Sequence, residues 1–128
     1  MAEEIAKGIS EAGGEVKLVN AKSLDFVSVR DDVERAKGLL FGSPTFNGDA
    51  VKPIWDVISM LFAVETKGKK GAAFGSYGWG GEAVRLIEDR LQGLKITVPE
   101  SGPRVNFTPS SEDLAKCKEF GIKFARSL

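Results

Sequence analysis

The stretch AAFGSYGWGGEAV, Ala72–Val84, decides the fold. Small and apolar residues lead to Gly75. A loop follows that carries Gly78, Gly80 and Gly81 around Trp79, and Glu82 opens a segment in which Ala83, Ile87 and Leu91 recur four apart. That order is strand, loop, helix. Upstream, GLLFGSP over Gly38–Pro44 has the same opening, an apolar run closed by glycine and serine as for a strand buried on both faces. Its loop SPTFNGD, Ser43–Asp49, leads into another helical segment. That helix starts between Asp49 and Pro53, because proline is tolerated only near a helix start, and runs through Ile54, Trp55, Ile58, Leu61 and Phe62.

The flanks extend the alternation. Residues 1–14 are helix-forming from the first residue, with Ile5 and Ile9 four apart and Gly13-Gly14 where a C-cap belongs. EVKLV, Glu15–Val19, alternates as a strand does, and Asp31–Gly38 is a polar connector of helical composition. Beyond Gln92, KITVPE and RVNFTP are two short strand pieces split by SGP. Ser110 or Ser111 then caps a last helix presenting Leu114, Cys117, Gly121 and Phe124. Strands alternating with helices predict a three-layer α/β domain over residues 1–128, a parallel sheet with helices on both faces.

Bulk properties narrow the partners. The 18 basic and 18 acidic residues cancel, which removes the electrostatic footprint of a nucleic-acid binder. The chain holds no histidine, the commonest metal ligand and general base. A single cysteine, Cys117, forms no internal disulfide, and no apolar run approaches the ~20 residues of a membrane span. These features predict a cytoplasmic chain with neither nucleic-acid nor membrane partner, and with no catalytic side chains of its own.

In an open α/β sheet, ligands bind beyond the carboxyl ends of the strands. If the two glycine-closed strands are neighbours, Ser43–Asp49 and Ser76–Gly81 face one crevice. Glycine permits close approach and positive φ, Ser43, Thr45, Asn47 and Ser76 add hydrogen-bonding groups, and Tyr77, Trp79 and Phe46 offer flat apolar faces. A flat, partly polar ligand such as a flavin suits that combination. The same spacing also suits aromatic residues packed in the core beside a tight glycine turn. GWGGEA, Gly78–Ala83, formally fits G-x-G-x-x-A with Glu100 about twenty residues on, a dinucleotide fingerprint in the wrong context, since only one more strand region and helix follow.

FGSPTFN, AAFGSYGWGGEAV and VNFTPSSEDLAKC resemble the flavodoxin-like domain of flavodiiron proteins, the A-type flavoproteins, over essentially the whole chain. The resemblance implies a flavodoxin-like sheet of order 2-1-3-4-5 holding FMN. It also implies an electron-transfer domain of an oxidoreductase, fed by a rubredoxin-like or reductase donor and passing electrons to a diiron-domain acceptor. Carried over by position, Ser43, Pro44, Thr45 and Asn47 form the first flavin loop. Ser76, Tyr77, Gly78, Trp79, Gly80 and Gly81 form the second. The diiron ligands have no counterpart in this sequence.

Flavodoxin-like chains start with a strand and a hydroxyl-rich phosphate loop ahead of the first helix, whereas this sequence starts inside that helix, at MAEEIAKGI. The expectation is a truncated domain whose first strand is absent. Losing several charge-assisted hydrogen bonds of about 1.5–3 kcal/mol each would lower FMN affinity by orders of magnitude. The gap leaves a sheet edge open to homo-oligomer formation, unless Glu15–Val19 moves over to pair with the Gly38 strand. A flavin-free interaction module, or a fragment, is the alternative function, and dinucleotide binding the third. Trp55 and Cys117 read as core residues, KGKKG as a solvated turn, and Asp49 and Glu82 as charges at helix N-termini. With no cation inside either loop, the expectation is a low potential for the second electron.

Overall fold

Gly71–Gly75 are the five consecutive buried residues of the chain's longest strand, so that strand takes the centre of the sheet. The computed structural model describes residues 1–128. The elements are α1 (Ala2–Glu11), α2 (Phe26–Arg35), β1 (Gly38–Gly42), α3 (Lys52–Ser59), α4 (Ala63–Thr66), β2 (Lys70–Tyr77), α5 (Glu82–Gly93), β3 (Arg104–Asn106) and α6 (Ser111–Ser127). The sheet order is β1-β2-β3, and both pairings are parallel. Gly38 stands opposite Lys70 and Gly42 opposite Phe74, while Gly75 stands opposite Arg104 and Tyr77 opposite Asn106.

Helices cover both faces, as an all-parallel sheet requires. On one face α2, α3 and α5 close over Leu39, Phe41 and Ala73 with Val29, Val33, Ile54, Ile58, Ile87 and Leu91. On the other, α1 and α6 bury Ile5, Ile9, Cys117, Phe120 and Phe124 against Ala72 and Phe74. Each large side chain so buried contributes about 1.5–3 kcal/mol. α1 and α6 meet backbone to backbone: a Cβ on Gly8 would collide with the Lys118 carbonyl oxygen, and one on Gly121 with that of Ile5. Burial pushes the Cys117 thiol above its ordinary range.

Local chemistry sets the boundaries. Ser110 caps α6 in a capping box with Asp113, as its position predicted. α2 begins at Phe26, earlier than the polar connector suggested, because the Asp25 carboxylate accepts the Val27 N–H and starts the helix there. α3 stops at Ser59, so Leu61 is buried beyond its end and Phe62, expected on the helix, is half-exposed under the Arg30 guanidinium at 5.2 Å. KGKKG is more than a solvated turn. The Lys69 ammonium donates to the Glu34 and Ala36 carbonyls at the end of α2, and that of Lys70 to the Ser127 carbonyl at the end of α6.

Two expectations are corrected. Glu15–Val19 is not a strand: it makes no backbone hydrogen bond and lies exposed, because alternation makes a strand only where a neighbour completes the ladder. It does not move over to pair with β1. KITVPE supplies only a bridge between Thr97 and Lys70. Between that bridge and β3 the flank of β2 has no strand beside it, and a side chain fills the gap. The N–H groups of Gly71 and Gly75 reach the carbonyls of Thr97 and Pro103, while the Ala73 N–H between them reaches Glu88 Oε1 from α5 at 3.1 Å. The Glu88 carboxylate also accepts the Gly102 N–H at 3.0 Å and the Ser101 hydroxyl at 2.8 Å.

Candidate functional site

Three loops leave the carboxyl ends of β1, β2 and β3, and hydrogen bonds lock them together. The β1–β2 ladder continues past the strand: Ser43 N–H donates to the Phe74 carbonyl at 3.0 Å and Thr45 N–H to that of Ser76 at 2.9 Å. The third loop joins through the Phe107 N–H, which donates to the Tyr77 carbonyl at 2.7 Å. Ser43, Pro44, Thr45 and Asn47 are therefore brought to the same rim as Ser76, Tyr77, Gly78, Trp79, Gly80 and Gly81.

In the first loop, Phe46 and Asp49 exchange both backbone hydrogen bonds across Asn47 and Gly48, whose φ angles are 51° and 74°. This is a two-residue hairpin turn of the kind Asn-Gly favours. Asp49 caps no helix. Its Oδ1 accepts from Trp55 Nε1 at 3.0 Å and from the Ala50 N–H, which pins the hairpin to α3. The Ser43 hydroxyl, almost wholly buried, donates to the Pro44 carbonyl at 2.7 Å and accepts the Val51 N–H at 3.0 Å. Thr45 Oγ1 accepts the Ala83 N–H at 3.2 Å, so the first loop caps the helix that the second loop enters. Both hydroxyls thus hold the rim in shape.

The second loop uses glycine for space rather than for positive φ, which none of its glycines adopts. A Cβ on Gly75 would collide with the Ser43 carbonyl oxygen and one on Gly80 with the Glu82 carboxylate. On Gly81 it would press on the Tyr77 ring at 3.3 Å, and on Gly78 on the Phe107 ring at 3.1 Å. Trp79 is fully exposed at the tip, so it is no core residue, while Tyr77 is half-buried. Phe46 and Phe107 are also exposed on this rim. Glu82 is the first residue of α5, and its Oε2 is buried with no hydrogen-bond partner. Glu100 precedes β3 and so lies at the end of that strand away from the loops, which breaks the dinucleotide fingerprint.

Phe107 and Glu88 escaped the sequence reading. Phe107 could have been found from its place, an aromatic residue directly after a strand and before Pro109. Glu88 could have been found as the one acid on the apolar stripe Val84, Glu88, Leu91.

A rim of loops at the carboxyl ends of a parallel sheet, with exposed rings and an orphaned buried acceptor, defines an α/β domain built to hold a flat heteroaromatic cofactor. The chain matches the flavodoxin family over residues 1–121 and belongs to it. It is 46% identical to the type A flavoprotein fprA of Rhodobacter capsulatus over 130 residues, covering 98% of this chain and 30% of that one. It is 35% identical to the flavo-diiron protein FprA2 of Clostridium acetobutylicum, covering 100% of this chain and 32% of that protein. The rubredoxin oxygen:oxidoreductase structure from Desulfovibrio gigas superposes with a TM-score of 0.90 at 26% identity, covering 98% of this chain and 31% of that one. The chain therefore spans about a third of the length of these relatives.

FMN is the cofactor that family membership implies. The residues present fit its ring: Trp79, Phe46 and Phe107 offer exposed faces, and Glu82 Oε2 is an acceptor still without a donor. No helix is long and apolar enough to cross a membrane.

Proposed function

We propose that residues 1–128 act as an FMN-binding electron-transfer domain that takes electrons from a rubredoxin-like or reductase donor and passes them to an acceptor such as a diiron module. Bound FMN supplies one- and two-electron redox chemistry. The chain's own part is positional. Ser43, Pro44, Thr45 and Asn47 shape the first wall of the crevice. Ser76, Tyr77, Gly78, Gly80 and Gly81 shape the second, Trp79 and Phe107 cover the ring from water, and Glu82 accepts a hydrogen bond from its edge. The observation that carries this reading is the convergence of three loops, each presenting an exposed aromatic residue, at one end of the sheet. The donor and acceptor classes follow from the kinds of protein the chain is similar to.

The test is an absorbance spectrum of the purified chain, then titration with FMN and riboflavin followed by flavin fluorescence. Saturable FMN binding with a band near about 450 nm is the expected result. Trp79→Ala should weaken it by about 0.5–1.5 kcal/mol, severalfold to about tenfold in Kd. A chain that binds neither flavin would sink the reading and leave the flavin-free interaction module.

A further inference from the structure

The end of the sheet opposite the rim gathers positive charge that the chain leaves largely uncompensated. Nine of the 18 cations stand within ion-pair distance of a carboxylate, and Lys37, Lys67, Lys69, Lys70 and Lys95 are not among them. Backbone hydrogen bonds set these five side by side. The Lys70 N–H donates to the Lys37 carbonyl at 3.2 Å, the Thr97 N–H to that of Lys69 at 2.9 Å, and the Gly68 N–H to that of Lys95 at 3.3 Å. The Lys69 and Lys70 ammoniums are fixed by carbonyls at the ends of α2 and α6 rather than by carboxylates. A helix C-terminus carries roughly half an elementary charge, so each lysine keeps about half of its own. Arg35 lines the same hollow as Lys37, Lys67, Lys69 and Lys70, and it shares the single carboxylate of Asp32 with Lys17. Of the acids nearby, Glu65 is engaged by Arg30 at 2.9 Å, which leaves Glu34 alone against five ammoniums.

We propose that this end of the domain docks a short acidic segment of a separate polypeptide, its carboxylates laid across the amino ends of β1 and β2. The chemistry of the occupant follows from the arrangement. Lys69 reaches toward α2 on one face of the sheet and Lys70 toward α6 on the other, so their charges diverge and one phosphate cannot meet both. An extended chain with a carboxylate at every residue or two can. Its shortness follows from the rest of the surface. With these five lysines set aside, 13 cations face 18 acids, so a nucleic acid or an anionic membrane reaching past the patch meets net negative charge. That the contact is reversible follows from the lining, in which only Ala36 and Leu128 are apolar, whereas permanent interfaces bury an apolar core. The eight residues of β2, at about 3.3 Å each, put Lys70 roughly 23 Å from Tyr77. A docked segment therefore leaves the crevice open, and this inference is independent of the flavin reading.

The probe is the peptide acetyl-Asp-Glu-Gly-Asp-Glu-Gly-Asp-Glu-amide, titrated at low salt into the 15N-labelled 128-residue chain while amide chemical shifts are followed. Saturable shifts are expected at Lys37, Gly68, Lys69, Lys70 and Lys95, with Gly78–Gly81 unmoved. Affinity should fall about tenfold between roughly 0.02 and 0.2 M salt. Lys37→Glu combined with Lys67→Glu should weaken binding by about tenfold or more. Both side chains are exposed and, unlike those of Lys69 and Lys70, tie down no carbonyl, so the variant should keep the parent's urea midpoint. The neutral peptide acetyl-Asn-Gln-Gly-Asn-Gln-Gly-Asn-Gln-amide should leave the unaltered chain unmoved, a comparison that needs no variant to fold. The proposal is overturned by an absence of saturable shifts, by equal binding of the neutral peptide, or by shifts centred on the rim. It is also overturned if tripolyphosphate binds as tightly as the acidic peptide at equal ionic strength, since the patch would then be a small-anion site.

Discussion

Glu88→Ala probes the reasoning about the interrupted flank of β2. Glu88 is 9% exposed, and its carboxylate accepts the Ala73 and Gly102 N–H groups and the Ser101 hydroxyl. Ala73 and Gly102 are themselves buried, so truncation strands two backbone donors away from water. At about 1–3 kcal/mol each the loss is about 2–6 kcal/mol, a large share of the about 5–15 kcal/mol that stabilises a domain. Glu88→Gln separates hydrogen bonding from charge. Its amide oxygen still accepts both N–H groups and its nitrogen donates to Ser101, so the expected cost is about 1 kcal/mol. Urea unfolding followed by circular dichroism measures both. With a slope of about 1–3 kcal/mol/M, the midpoint for Glu88→Ala should fall by roughly 1–3 M at unchanged slope. The argument is refuted if Glu88→Ala stays within about 1 kcal/mol of the parent, or if Glu88→Gln is as damaging as Glu88→Ala.

Gly75→Ala should abolish folding or cost several kcal/mol, because its Cβ meets the Ser43 carbonyl oxygen in the rigid β1–β2 ladder; soluble yield and the urea midpoint report it. Asp113 is held below its ordinary value of 3.8 by the Ser110 backbone N–H and hydroxyl. A carboxyl depressed on folding stabilises fully above its ordinary value, and that contribution is lost as pH falls through the lowered one. The urea midpoint should thus drop with acidification below that value, and Asp113→Asn should flatten this part of the curve.

Elements that carry their own signals were legible. α5 and α6 announce themselves by four-residue spacing and by Ser110, and β1 and β2 by apolar runs closed at Gly42 and Gly75. Glu15–Val19 misled because alternation records what a segment could pair with, whereas a strand also needs the neighbour. The β-branched opening of α2, Val27 and Val29, hid a helix that Asp25 and Ser28 mark chemically, with the Ser28 hydroxyl donating to the Asp25 carboxylate. At the site, the sequence brought both glycine loops to one rim but did not disclose the internal bonds that tie them together. Ser43 and Thr45 turn inward because backbone N–H groups of Val51 and Ala83 need acceptors, and that demand arises only once the chain is folded.

The reciprocal glycine contact between α1 and α6 joins the first helix of this sequence to the last. Leu39, Ile54, Ile87 and Leu91 can gather once the segment through Ile96 exists, but Ile5 and Ile9 find their cover only when Phe120, Gly121 and Phe124 have been made. At about 5–20 residues per second, synthesis leaves the apolar stripe of α1 waiting roughly 5–20 s for its partner. During that interval it is a target for chaperones, and any variant that delays α6 lengthens the wait. One half of the core can thus assemble before α6 is synthesised and the other half only after it.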